Sequence, residues 1–247
     1  MDASGTRLMH FFGEVIAWFG DPSHWHGVDG VPNRVFEHLE LSIFVIVCAV
    51  VIAVPLGIVL GHTRRGGFAA ISVVNIGRAI PSFAIVAVAL PIAIRFGLGF
   101  GFWPTWLAVF VLALPVMFTQ SYVAVANVDP EVVSAARGMG LRETELLRQV
   151  ELPLAAPLIA AGIRVAAVQV VATAPLGAVV GWGGLGRFII DGLAQFNIPE
   201  VFAGALLVAV IAVLTDVAFA GAERAILPAG VRRLARDAVA TRVANVA

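Results

Sequence analysis

The chain of 247 residues is 60% hydrophobic and 13% charged, with a mean hydropathy of +0.96, and its charged share is about half that of an ordinary soluble domain. A water-exposed surface cannot be built from that composition, and sixteen arginines against sixteen acids, with no lysine, leave no net charge for holding nucleic acid. The single cysteine, Cys48, excludes an internal disulfide or a cysteine-based metal cluster, so the composition reads as an all-α, polytopic membrane protein.

The first 38 residues lack the basic start, clean apolar run and small-residue cleavage site of a signal peptide. Leu8, Phe11, Phe12, Val15, Ile16 and Phe19 recur at helical spacing and predict an amphipathic helix lying in the outer membrane interface. His10, His24, His26 and His38 cluster loosely there. Their spacing matches no standard ligand pattern, so they are expected as solvated interfacial side chains. Five stretches are long and apolar enough to cross a bilayer: about 39–60, 68–94, 105–126, 158–180 and 201–222. The second contains Arg78 and Pro81 and is read as one broken helix. Trp18, Trp25, Trp103, Trp106 and Trp182 fall near the span ends, as a depth-anchoring aromatic belt would.

Five spans with the N-terminus outside put Arg64, Arg65, the segment 127–157 and the tail 223–247 on the cytoplasmic side. Ten arginines then lie inside and four outside, which satisfies the positive-inside rule. The division is an N-terminal extracytoplasmic segment 1–38, a transmembrane domain 39–222 and a cytoplasmic tail 223–247.

The polar break 127–157 carries three arginines and five acids. Asp129 suits an N-cap, Pro130 the first helical position, Glu131 the positive helix end and Gly140 a C-terminal stop. Val132, Ala135, Ala136 and Met139 then share one apolar face. A second short helix is predicted over about 142–150, ended by Pro153. A helix of about ten residues is marginal alone in water. It docks either in a groove of a partner protein or against its own bundle, and the residues leave both open.

Gly183-Gly184-Leu185-Gly186 has no lysine after it and no strand before it, so it is not a nucleotide loop. It is expected as a re-entrant turn near an external gate, with a plain tight turn as the alternative. Pro81 and Pro175 break their spans and, with Ser82, are candidates for a translocation path. Gly57, Gly61, Gly162 and Gly177 are expected at close helix contacts. Away from the span ends, where Glu40 stands, charge within the spans is limited to Arg78, Arg164 and Asp216. Either both arginines snorkel to the inner headgroups, or Asp216 pairs with Arg164 and approaches Arg78; the residues leave both open. No histidine falls inside a predicted span, which disfavours a proton-driven carrier. No catalytic triad, metal cluster, cofactor motif or phosphate loop is visible, so the chain is not expected to be an enzyme.

Ala135-Ala136-x3-Gly140-x9-Val150-x-Leu152-Pro153 resembles the signature loop of ABC-importer permeases, with Val for Ile and with Ser134 where an acid usually stands. The resemblance implies a type I importer permease core like that of the methionine permeases. It makes Glu131–Gly140 the coupling helix, with Glu131, Ala135, Ala136, Gly138, Gly140, Leu152 and Pro153 coupling the spans to an ATPase. Ala79-Ile80-Pro81-Ser82-Phe83-Ala84, Gly181–Gly186, Glu37-His38-Leu39-x-x-Ser42 and Pro55-Leu56-Gly57 are similar to the glycine betaine, carnitine and choline branch. That branch implies import of osmoprotectants across a bacterial cytoplasmic membrane. The partners implied are a cytoplasmic ATPase dimer, a second permease subunit (identical or paralogous) and an extracytoplasmic solute-binding protein. A methionine or other amino-acid importer is the alternative within the family. A secondary carrier, a channel or a non-transporting scaffold is the alternative outside it.

Overall fold

The computed structural model describes residues 3–64, 72 and 80–226, and every regular element among them is helical. Among the described residues four helical stretches are long and apolar enough to cross a membrane. The chain divides into two compact units, one of Met1–Val47, Ile80–Leu112 and Ala167–Thr215, the other of Cys48–Ala79, Ala113–Ala166 and Asp216–Ala247.

Helix α1 spans Ala3–Gly20, as the apolar spacing predicts. Asp21 then caps a short 3-10 turn, Pro22–Trp25, by accepting from Ser23 N at 2.8 Å. That hydrogen bond holds the Asp21 carboxyl below the usual carboxylate range. Helix α2 runs Val31–Thr63, 33 residues against the predicted 39–60. Helix α3, Ser82–Arg95, is the described part of the second stretch. Whether that stretch is a single broken helix falls on residues outside those described, and so does Arg78. Pro81 precedes α3, and its carbonyl accepts from Ala84 N and Ile85 N, so the proline stands at the start of that helix. Helix α4 covers Phe102–Ala126.

The polar loop forms α5, Pro130–Gly138, and the single turn α6, Glu143–Leu146. The predicted stop at Pro153 does not occur. A π-helical segment, Leu147–Glu151, joins α6 to α7, Leu152–Thr173, without a break. The π turn shifts the hydrogen bonds by one residue, Leu152 N donating to Leu147 O. A widened turn relieves the clash between a proline ring and the carbonyl four residues earlier, and Pro153 is therefore accommodated. Helix α7 passes into a 3-10 segment, Ala174–Val180, that begins around Pro175. The amphipathic helix α8, Gly186–Ala194, and the last span α9, Ile198–Ile226, complete the described chain.

The first unit buries Trp18, Val31, Leu185, Phe188, Ala203 and Val208 together. Trp18 stacks on His24 with ring centroids 4.3 Å apart and meets Phe188 edge-on at 5.4 Å. It is core rather than interfacial belt, whereas Trp25 and Trp103 are exposed. The second unit is closed by small-residue contacts. A Cβ on Gly57 would lie 2.7 Å from Phe118 O, one on Gly61 2.8 Å from Tyr122 O, and one on Gly162 would overlap Gln120 Cβ. Those glycines let α2 and α7 approach α4 to backbone distance. Within the first unit Gly177 serves the same purpose against Thr105.

Candidate functional site

The polar loop lies in the second unit. Asp129 starts α5 by accepting from Glu131 N at 2.8 Å. Gly140, at φ +90, ends it with Gly140 N bonded to Arg137 O and Leu141 N to Ala136 O. That pair of bonds is a Schellman closure, which requires the left-handed residue that glycine supplies. The helix is held by its inner face, where Val133 and Ala136 are buried.

The apolar face expected from spacing divides between solvent and core. Val132, Ala135 and Met139 turn outward, Met139 being 76% exposed, and only Ala136 of the predicted four is buried. Glu131, Ser134, Gly138 and Gly140 are exposed as well, while Leu152 is half-buried and Pro153 exposed at the start of α7. The helix therefore has apolar residues on two sides: one packs on its own unit, and the other is open.

Side chains that sequence reasoning passed over tie this loop to α2. Arg137, in the last turn of α5, donates to both oxygens of Glu143, from Nε at 2.9 Å and Nη2 at 3.0 Å. The Glu143 carboxylate raises the Arg137 pKa above its ordinary value. His62 of α2 has Nδ1 2.5 Å from Glu151 Oε2 and Nε2 3.4 Å from Glu143 Oε2. Glu151 is 2% exposed. Arg64 Nη2 donates to Val128 O, where the chain enters the loop.

In the first unit, Gly183 and Gly184 meet α2. Glu37 Oε2 accepts from Gly184 N at 2.7 Å and from Arg34 Nη1 at 2.8 Å. A Cβ on Gly183 would collide with Glu37 Oε2, and one on Gly186 with Pro175 O. The loop is thus clasped, with Pro175, Gly183, Gly184 and Gly186 gathered around one carboxylate and one carbonyl. Pro81 and Ser82 make no hydrogen bond to that clasp among the described residues. His38 corrects another expectation. It is 1% exposed within α2, packed close to Gly184 and with Nε2 3.1 Å from Val171 O. A histidine therefore does lie within the first long apolar helix, Val31–Thr63.

Arg164 and Asp216 meet in the second unit, Nε to Oδ1 at 2.7 Å and Nη2 to Oδ2 at 3.2 Å, with Glu223 Oε2 3.9 Å from Nη1. This bidentate geometry joins α7 to α9. Among the described residues no grouping of three or more His, Cys, Asp or Glu is placed to hold a metal ion.

Long apolar helices joined by a capped polar loop that carries a partly exposed short helix are the build of a polytopic membrane protein. The chain belongs to the family of binding-protein-dependent transport system inner membrane components, whose model matches residues 53–228. It is 35% identical over 201 residues to the choline transport system permease protein OpuBB of Bacillus subtilis (strain 168), covering 81% of this chain and 90% of that one. It is 34% identical to the glycine betaine/carnitine/choline transport system permease protein OpuCB of the same organism, covering 79% and 88%. The carnitine transport permease protein OpuCB of Listeria monocytogenes is 33% identical, with coverage of 88% and 95%. Among solved structures, an inward-facing MetNI methionine ABC transporter superposes with a TM-score of 0.70 at 24% identity, over 78% of this chain and 94% of that one. That likeness establishes the type I importer permease fold.

Proposed function

We propose that this chain is the permease subunit of an ATP-driven importer of quaternary-amine osmoprotectants, the class to which choline, glycine betaine and carnitine belong. A separate ATPase engages α5, and a solute-binding protein delivers the solute from outside. The observation that carries the coupling role is the two-sided helix α5. Val133 and Ala136 fasten it to its own unit, while Val132, Ala135 and Met139 form an open apolar strip of the kind that enters a groove. Glu131 stands exposed beside that strip and supplies the charge that Ser134 lacks. The solute class is supported by permeases named for these amines at 33–35% identity across most of the chain.

The permease works as a pair, of two copies or of this chain with a paralogue, with α1 outside and residues 223–247 in the cytoplasm. The ten-to-four arginine bias supports that orientation. The clasped Gly183–Gly186 loop lies near the external gate. The Arg164–Asp216 pair holds α7 against α9 as the bundle moves.

Reconstitution with the ATPase and binding protein tests the reading. Labelled choline, glycine betaine or carnitine enters vesicles only with ATP and binding protein present. ATP-dependent uptake of methionine instead would reject the solute class, and uptake without the ATPase would reject the importer reading.

A further inference from the structure

We infer that His62 is a positioning residue that hangs the coupling helix on the first membrane span, through a chain of charged side chains that carries displacement of α5 into α2. This rests on the reading of α5 as the ATPase-docking helix. The chain runs from Arg137 at the end of α5 to Glu143, from Glu143 to His62, and from His62 to Glu151. All four residues belong to one compact unit.

Three features distinguish this chain from incidental surface pairing. Glu151 is 2% exposed, and among the described residues its side-chain hydrogen-bond partner is His62. A carboxylate out of water is strongly disfavoured unless a donor or countercharge meets it. Both ring nitrogens of His62 face carboxylate oxygens, at 2.5 Å and 3.4 Å. Finally, Glu151 ends the π-helical segment that precedes the span. A π turn costs backbone regularity and concentrates at functional positions. Arg64, two residues beyond His62, holds the loop entrance at Val128 O. The end of α2 therefore grips the loop on both sides of α5.

Physically, the two attachments of α5 differ. Its apolar contacts through Val133 and Ala136 are non-directional and permit sliding. The charged chain is directional and resists separation, so a pull on α5 reaches α2 without loss of register.

The test uses the complete complex of permease, ATPase and binding protein in vesicles. His62→Gln and Glu151→Gln are compared with the exchange variant carrying His62→Glu and Glu151→His. In both single variants the ATPase still copurifies and basal ATP hydrolysis is kept. Stimulation by loaded binding protein and the kcat of uptake fall about tenfold, the scale of an ordinary inter-site coupling, while the KM for loaded binding protein is unchanged. The exchange variant recovers most of the loss. Normal stimulation in either single variant, loss of ATPase association, or no recovery in the exchange variant would overturn the inference. Ala135→Glu is run in parallel. If it keeps ATPase association and uptake, the docking role of α5 fails, whatever His62 does.

Discussion

Two loops in this molecule are each held by side chains of α2, and they are held by opposite means. The Gly183–Gly186 loop is gripped through its backbone: Glu37 bonds Gly184 N, and neighbouring atoms leave no room for a Cβ on Gly183 or Gly186. The loop carrying α5 is gripped through long side chains, Arg137 to Glu143 to His62 to Glu151. Backbone held at contact distance has one arrangement. A chain of rotatable side chains can tilt while its links persist. The first design suits a fixed structural element, and the second an element that must move while remaining attached.

The sharpest way to break this comparison is at the open face of α5. Ala135→Glu with Met139→Glu should leave the isolated permease's thermal unfolding unchanged, because both side chains point outward. ATPase association and uptake should fall at least about a hundredfold, as for charging the centre of an apolar interface. Ala136→Glu should instead lower the permease's own melting temperature, since Ala136 is buried.

Next in size is the Gly loop. Gly186→Val should destabilise by about 1–3 kcal/mol through overpacking against the Pro175 carbonyl, read by thermal unfolding in detergent. Glu37→Gln should cost about 1.5–3 kcal/mol, the range for hydrogen bonds to a charged group. If Gly186→Val proved neutral, the loop would not be rigidly clasped and the contrast with α5 would collapse.

Smaller still, Gly140→Ala should cost about 1 kcal/mol for its positive φ and reduce uptake by loosening the end of α5. The least effect is expected at Arg164 and Asp216, which are 36% and 43% exposed. Each neutralising substitution should lower the melting temperature slightly, and Arg164→Gln with Asp216→Asn should recover part of the loss in a double-mutant cycle.

Sequence reasoning reached the start and end of α5 because Asp129, Pro130 and Gly140 act through bonds within a few residues. Which side of α5 meets the core stayed open, because apolar residues lie on both sides of a nine-residue helix and periodicity alone does not choose between them. Pro153 read as a stop because the π turn that accommodates it has no sequence signature of comparable strength. The Arg164–Asp216 contact could be named from sequence because charges within the spans are few. The His62–Glu151 contact could not, because several acids crowd the loop and 89 residues separate the pair.

By itself, the sequence determined the membrane environment, the apolar spans, the arginine asymmetry and the family motif. These are properties of windows of about 20 residues, where burial in lipid and local capping dominate. Only the tertiary structure decided that His38 and Glu151 are buried, that α5 faces outward with Met139, and that Glu37 reaches Gly184 across 147 positions. Those outcomes depend on which helix faces meet, and contacts between distant segments are set by the packing of the whole bundle rather than by any local preference.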